Sequence, residues 1–263
     1  MFEINSIYNM DCLEGMKYID DKSIDMILCD LPYGTTACKW DSIIPLDKLW
    51  EHYERIIKPL GVIVLTASQP FTSFLITSNI KLYKYNWIWK KTRPTGFSHS
   101  KNMPLKDYED ICVFSKGIIQ HAHLTNNRMN YYPQGVRECN KKIKRTSKGF
   151  EGTMERKSQT NEYVAKLENF PRMVLEIPSE GKTIHPTQKP IALFEYLIKT
   201  YTQEGELVLD NCIGSGTTAI AAINTNRNYI GFELDKKYYE LAKNRINQHI
   251  INNNLQEKYN LIA

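Results

Sequence analysis

The sequence predicts an α/β fold: a doubly wound, mostly parallel sheet with helices on both faces. Two observations indicate this fold. Short apolar runs alternate with longer runs of helical spacing over residues 1–118, and the alternation resumes over residues 179–263. Between these parts, residues 119–178 lose the apolar periodicity and are rich in Asn, Lys, Arg, Gly and Tyr. We therefore expect one large domain that is interrupted by an insertion.

The first part of the chain contains alternating predicted strands and helices. Its longest helix places Leu49, Tyr53 and Ile56 on one face, and Pro59 and Gly61 favour the end of that helix. We expect the predicted strands 84–89 and 110–114 to pair with each other. The predicted elements are strands 7–10, 24–29, 62–65, 84–89 and 110–114 and helices 12–19, 46–58 and 71–78.

The second part continues the same rhythm and ends in a long amphipathic helix. Its predicted elements are helices 191–201, 217–224 and 236–251 and strands 207–210 and 229–232.

Bulk composition narrows the class of protein. Hydrophobic residues make up 42% of the 263 residues, no apolar run reaches the length of a membrane span, and the N-terminus lacks a signal-peptide pattern. We expect a cytoplasmic protein that has no membrane partner. The six cysteines are scattered without a Cys-x-x-Cys pair, so we expect neither a disulfide framework nor a metal site.

Positive charge is concentrated in the insertion. Residues 121–175 hold eleven Lys or Arg and five Asp or Glu, a net charge of +6, whereas the whole chain carries +5. Tyr131, Tyr132 and Phe150 are interleaved with these charges. This combination favours an element that follows nucleic-acid phosphates, although a solvated charged face is the alternative. The densest basic run supplies the candidate contacts Lys141, Lys142, Lys144 and Arg145.

The tetrapeptide Asp30-Leu31-Pro32-Tyr33 stands at the end of a predicted buried strand. Ligands of open α/β sheets bind at the carboxyl ends of the strands. A carboxylate there can accept hydrogen bonds from an amino group, and an aromatic ring can stack on a flat base. Without further signals, a strand end with a proline turn and a core tyrosine explains the same residues.

A glycine-rich turn joins a strand to a helix in residues 207–218. Gly214 and Gly216 permit a tight turn and a close approach of the backbone to a ligand. Glu233 follows at the end of the next predicted strand, where an acid can accept both ribose hydroxyls of an adenosine. With Ala219, the glycines also fit a dinucleotide fingerprint, so a nicotinamide enzyme stays open at this point.

These motifs together resemble a known family. Asp30-Leu31-Pro32-Tyr33 resembles the catalytic motif of the amino-methylating DNA methyltransferases, whose usual form is Asp-Pro-Pro-Tyr. Residues 185–190, His-Pro-Thr-Gln-Lys-Pro, are similar to a second family signature, and segments 9–13 and 229–234 resemble its adenine- and ribose-binding segments. The order is catalytic motif, insertion and glycine-rich turn. That order is typical of the β class, a circularly permuted Rossmann-like methyltransferase fold.

The resemblance implies a cofactor, a substrate and a role for each motif. It implies S-adenosylmethionine as methyl donor, double-stranded DNA as substrate, and a homodimer as a partner to consider. It makes 1–118 the catalytic half, 119–178 the target-recognition insertion and 179–263 the cofactor-binding half. The implied catalytic residues are Asp30, Leu31, Pro32 and Tyr33, and the implied cofactor-binding residues are Asp11, Cys12, His185, Thr187, Lys189, Asp210, Gly214, Ser215, Gly216, Thr217, Thr218 and Glu233.

The resemblance implies methylation of adenine N6 in DNA, because aspartate at the first motif position leans toward that base. Cytosine N4 is the nearest alternative on the same scaffold. An RNA or protein-amide methyltransferase, a non-catalytic DNA-binding protein and a nicotinamide dehydrogenase are more distant alternatives. The chain has no Pro-Cys pair, so it lacks the thiolate nucleophile of the cytosine-C5 route.

Overall fold

The computed structural model describes residues 2–34, 42–119, 125–147, 159–181 and 188–262. The chain forms two compact units, Met1–Tyr132 with Met173–Ala263, and Pro133–Arg172. The strands are β1 (Ser6–Asn9), β2 (Ile24–Asp30), β3 (Ile57–Ala67), β4 (Tyr83–Thr95), β5 (Lys106–Ser115), β6 (Arg137–Ser147), β7 (Gln159–Glu168), β8 (Val174–Glu176), β9 (Leu207–Asp210) and β10 (Asn228–Glu233). The helices are α1 (Cys12–Met16), α2 (Leu46–Ile56), α3 (Phe71–Ser78), α4 (Ile191–Tyr201), α5 (Thr217–Asn224) and α6 (Lys236–Asn252).

The larger unit is built on an eight-stranded sheet with the order β1-β10-β9-β2-β3-β5-β4-β8. Strands β1, β10, β9, β2 and β3 run parallel to one another. Strand β5 runs antiparallel to both β3 and β4, and β8 pairs parallel with β4. The sheet is therefore mostly parallel, and the predicted α/β class and the predicted pairing of β4 with β5 are confirmed.

Side chains alternate along β2 between two hydrophobic cores. Met26 and Leu28 join the core that includes buried residues of α4, α5 and α6. Ile27 and Cys29 join the core that includes buried residues of α1, α2 and α3. Strand β2 is buried on both sides, which is why its sequence reads as a continuous apolar run. Helices thus cover both faces of the sheet, as predicted.

Strand β3 begins earlier than the sequence predicts. The chain passes from α2 directly into β3 at Ile57, so Pro59 and Gly61 lie inside the strand rather than in a loop. The pairing with β2 is irregular here, because the register shifts between the pairs that Ile24 and Met26 make. A proline without an N–H is tolerated at such an irregularity.

The smaller unit, Pro133–Arg172, contains strands that the sequence does not predict. Strands β6 and β7 pair as an antiparallel two-stranded ribbon. Both strands consist mainly of charged and polar residues. Their sequences therefore lack the regular alternation of apolar and polar residues that predicts a strand. The sequence pattern also gives no signal for short β8, which belongs to the larger unit.

Gly231 allows a close approach at the centre of the parallel sheet. A Cβ at this position of β10 would overlap the Ile213 side chain and lie 3.0 Å from Ile7 Cγ2. Both neighbours are buried. A side chain larger than hydrogen therefore forces a rearrangement of a packed core.

We predict that Gly231→Ala lowers the free energy of unfolding by about 1–3 kcal/mol, the usual range for overpacking. Chemical denaturation measures the change. Gly181→Ala is the matched control, since a Cβ there meets no atom within 4 Å. Equal stability of the two variants would contradict the packing argument.

Candidate active site

One cavity of about 980 Å³ lies at the carboxyl edge of the sheet. Because β2, β9 and β10 run parallel, their last residues meet at this edge. Those residues are Asp30, Asp210 and Glu233, and all three line the cavity. The strand ends thus bring together acids that lie far apart in the sequence.

Asp30 is held by hydrogen bonds on one carboxylate oxygen. The Thr66 hydroxyl donates to Asp30 Oδ1, and the Tyr33 hydroxyl lies 2.7 Å from the same oxygen. The hydroxyl oxygens of Tyr33 and Thr66 are 2.9 Å apart. Thr66 is fully buried in β3, the strand next to β2. The carboxylate is therefore fixed in orientation by two neighbouring hydroxyl groups.

The second carboxylate oxygen of Asp30 accepts from a buried ammonium. Lys189 Nζ lies 2.6 Å from Asp30 Oδ2 and 3.3 Å from Glu109 Oε2. Glu109 Oε1 in turn lies 2.5 Å from Lys91 Nζ. Burial opposes the charge on Lys189, but the carboxylates of Asp30 and Glu109 outweigh it and raise the lysine pKa above its ordinary value. Burial opposes the charge on Glu109 as well, but the two lysines lower its pKa.

The Tyr33 ring contacts an aromatic side chain and lies near the Lys189 ammonium. The ring stacks on Phe71 with centroids 5.4 Å apart, and Lys189 Nζ lies 5.7 Å from its centroid. Burial and then the nearby charge of Asp30 raise the pKa of the phenol well above its usual value. Leu31 and Pro32 also line the cavity, and Leu31 is buried. The four residues of the predicted catalytic motif therefore lie together.

The glycine-rich turn folds between β9 and α5. Gly214 and Gly216 have φ angles of 52° and 80°, which favour glycine, and Gly216 caps α5. Asp210, the last residue of β9, accepts from Cys212 N at 3.0 Å and from the Thr218 hydroxyl. Burial raises the pKa of Asp210 to about 7.

Glu233 ties the glycine-rich turn to the end of β10. Its Oε2 accepts from Gly214 N and its Oε1 from Asp235 N, both at 2.9 Å. A carboxylate can accept more hydrogen bonds than these two. Asp11 lies at the same cavity, but its Oδ1 already caps α1 through Leu13 N at 2.8 Å.

The remaining predicted cofactor contacts fall into three groups. Ser215 and Thr217 hydroxyls lie 3.2 and 3.0 Å from the Arg245 guanidinium. Cys12 is buried, and its thiol lies 3.7 Å from Asn211 Nδ2. His185 and Thr187 lie outside the described residues.

The predicted nucleic-acid contacts belong to the smaller unit. Lys141, Lys142 and Lys144 are on β6, and the side chain of Arg145 on the same strand lies outside the described part. Lys141 contacts Glu168, and Lys144 Nζ lies 3.1 Å from Glu162 Oε1.

Sequence reasoning missed Thr66, Glu109 and Lys91. Thr66 follows the predicted strand 62–65 directly, so the rule that ligand-binding residues lie at carboxyl strand ends could have found it. Glu109 and Lys91 lie on antiparallel strands. Their meeting depends on the register of β4 and β5, which the sequence pattern does not specify.

Comparison with known proteins identifies the family and the fold of this chain. The family model described as DNA methylase, of the N6/N4 type, matches residues 24–244. Type II methyltransferase M1.MboII of Moraxella bovis is 28% identical, over 96% of this chain and 100% of its own length. The solved M1.HpyAVI–SAM complex is 24% identical with a TM-score of 0.59, covering 91% of this chain and 98% of that one. The cytosine-N4-specific PvuII DNA methyltransferase has a TM-score of 0.66 at 15% identity, covering 90% and 84%.

The mostly parallel sheet and its likeness to solved DNA methyltransferases define a Rossmann-like α/β fold. The chain belongs to the N6/N4 DNA methylase family. It is therefore an S-adenosylmethionine-dependent DNA methyltransferase that acts on an exocyclic amino group.

The cavity fits S-adenosylmethionine. The ribose of this cofactor offers two hydroxyl donors, and the Glu233 carboxylate at the cavity is an acceptor. The cofactor also carries an ammonium and a sulfonium, and acids line the cavity at Asp30 and Asp210. An acid-lined space of about 980 Å³ suits a cationic nucleoside in both charge and size.

No helix in the described part of the chain is long and apolar enough to cross a bilayer. Among the same residues, no group of three or more His, Cys, Asp or Glu has a geometry that could hold a metal ion.

The raised pKa of Asp210 predicts a pH-dependent stability. The folded state binds the carboxyl proton of Asp210 more tightly than the unfolded chain does. The protonated side chain therefore contributes fully to the free energy of unfolding below the ordinary pKa of 3.8, and this contribution is lost as the pH rises through about 7. We expect the free energy of unfolding to fall less steeply with rising pH in Asp210→Asn than in the wild type, as measured by denaturant titrations across this pH range. Asp107→Asn, an exposed site, controls for charge removal. Parallel curves for wild type and Asp210→Asn would contradict the assignment.

Proposed function

We propose that this protein methylates the N6 amino group of adenine in double-stranded DNA. The observation that carries the proposal is the fixed carboxylate of Asp30 in the same cavity as Glu233. A methyl acceptor on Asp30 and an adenosine ribose on Glu233 would then share one space. Aspartate at the first motif position favours adenine over cytosine, by resemblance to the family.

Asp30 and Leu31 would activate the target amine. Its lone pair is conjugated with the base, so the free amine is a poor nucleophile. The Asp30 carboxylate and the Leu31 carbonyl can each accept one N–H, which draws the lone pair out of conjugation and stabilises the positive charge that develops on nitrogen. Catalysis would come from positioning and preorganised electrostatics, without a covalent intermediate.

The methyl donor would supply an electrophilic methyl group on its sulfonium. Glu233 would hold the ribose, and Asp11 would meet the adenine amino group through the oxygen that does not cap α1. Asp210 and the turn 214–218 would hold the remainder. Tyr33 would stack on the target base, which must leave the duplex to reach the sheet edge.

The ribbon β6–β7 would contact DNA. A two-stranded ribbon fits the major groove. Within the described residues Lys142 forms no ion pair, and the pairs of Lys141 and Lys144 involve lysines that are mostly exposed. Exposed pairs contribute little stability, so phosphates can replace the acids at small cost.

We expect the purified protein to convert unmethylated DNA to a product that contains N6-methyladenine, identified by nucleoside mass spectrometry after digestion. Asp30→Ala should lose at least about 100-fold in rate, because it removes an acceptor from the transition state. Donor binding by this variant, measured by calorimetry, controls for folding. N4-methylcytosine as product would move the assignment to the cytosine-N4 alternative. No methylated nucleoside would contradict the assignment of base and substrate.

Charge removal on the ribbon should reduce the salt dependence of DNA binding. We expect Lys141, Lys142 and Lys144 changed together to Gln to weaken binding and to lower the slope of log K against log salt by about 0.9 for each phosphate that the ribbon no longer neutralises. The matched control changes three exposed lysines of the larger unit, Lys22, Lys81 and Lys199, to Gln. Equal slopes in both variants would remove the ribbon from the DNA interface.

A further inference from the structure

The Lys189 ammonium occupies the position that the target amine needs. Its Nζ lies 2.6 Å from Asp30 Oδ2 and 5.7 Å from the centre of the Tyr33 ring. Those are the groups assigned above to an amino group on a stacked base. Asp30 Oδ1 is already bonded to Thr66 and Tyr33, so Oδ2 is the oxygen left for an incoming N–H.

An ammonium on this oxygen cannot stay there during methyl transfer. The target nitrogen gains positive charge as the new bond forms, and a cation beside it would raise the energy of that state. Lys189 is 5% exposed, so water screens this repulsion poorly. The lysine must therefore move away from Oδ2 without becoming an unpaired buried charge.

Glu109 offers the place to which the ammonium can move. Its Oε2 is buried and has no hydrogen-bond partner among the described residues, yet Lys189 Nζ lies only 3.3 Å from it. Its other oxygen, Oε1, is held by Lys91 at 2.5 Å. A buried carboxylate oxygen without a hydrogen bond is rare in folded proteins and calls for an explanation.

We propose that Lys189 is a placeholder for the target amine and that Glu109 Oε2 is its second binding position. In the free enzyme the ammonium compensates the charge of Asp30. When the base enters, its amino group takes Asp30 Oδ2 and the ammonium shifts to Glu109. This inference rests on the proposed role of Asp30 but holds for either an adenine or a cytosine amine.

Glu109→Gln tests the second position. The neutral amide binds an ammonium less strongly, so Lys189 remains on Asp30 and competes with the base. We expect KM for unmethylated DNA to rise about tenfold, the equivalent of one weakened charged hydrogen bond, with a smaller change in kcat. Calorimetric affinity for S-adenosylmethionine should change less than twofold. Glu176→Gln, which removes an exposed partner of Lys90, is the matched control and should leave KM unchanged.

The double variant separates competition from a structural role of Glu109. In a Lys189→Met background there is no ammonium to move, so adding Glu109→Gln should change KM less than twofold. The same tenfold rise in both backgrounds would overturn the placeholder role, as would an unchanged KM in Glu109→Gln alone.

A crystal structure with duplex DNA gives a readout that does not depend on either variant folding. With the base in the cavity, we expect Lys189 Nζ to lie outside hydrogen-bond distance of Asp30 and closer to Glu109 Oε2 than the present 3.3 Å. An ammonium still on Asp30 Oδ2 beside the flipped base would overturn the inference. The identity of the methylated base, read separately by mass spectrometry, tests the proposed function alone.

Discussion

The charge of Asp30 must be compensated at the half-buried end of a parallel strand, and the rest of the site depends on that requirement. Lys189 supplies the compensation from a residue that lies 159 positions away in the chain. The ion pair joins the part of the larger unit before the smaller one to the part after it. A buried ion pair of this kind adds little net stability, but loss of one partner leaves a costly unpaired charge. It therefore constrains how the two parts meet.

Parallel strand direction explains why the site has so many acids. Strands β2, β9 and β10 each end in a carboxylate, and the sheet places all three ends around one cavity. Their environments differ. Asp30 is paired with a cation, Glu233 accepts two backbone N–H groups, and Asp210 is buried with a pKa raised to about 7. One edge thus offers acceptors of different charge and strength to a cationic cofactor and a neutral amine.

The shift of Lys189 from Asp30 to Glu109 lets the base enter while Asp30 keeps its orientation. Hydroxyls of Thr66 and Tyr33 hold one oxygen of Asp30 in place, so only the other oxygen has to change partners. Glu109 Oε2 lies 3.3 Å from the Lys189 ammonium without a hydrogen bond among the described residues, so a short shift of one side chain completes the exchange. The exchange leaves Asp30 Oδ1 with its two hydroxyl groups, which suits a carboxylate that must keep its orientation during transfer.

The sequence by itself determined the α/β class, the bounds of several elements and the family, because these follow from local periodicity and short motifs. Helices α3, α4 and α5 and strand β9 begin and end where the apolar pattern predicts, and residues 30–33 and 214–218 carry the motifs. The tertiary structure alone decided the partners of Asp30. The family resemblance implies Lys189 among the cofactor-binding residues, but no sequence pattern pairs its ammonium with Asp30 and Glu109. The physical reason is that strand register and burial set which charges meet, and neither leaves a periodic signal in the chain.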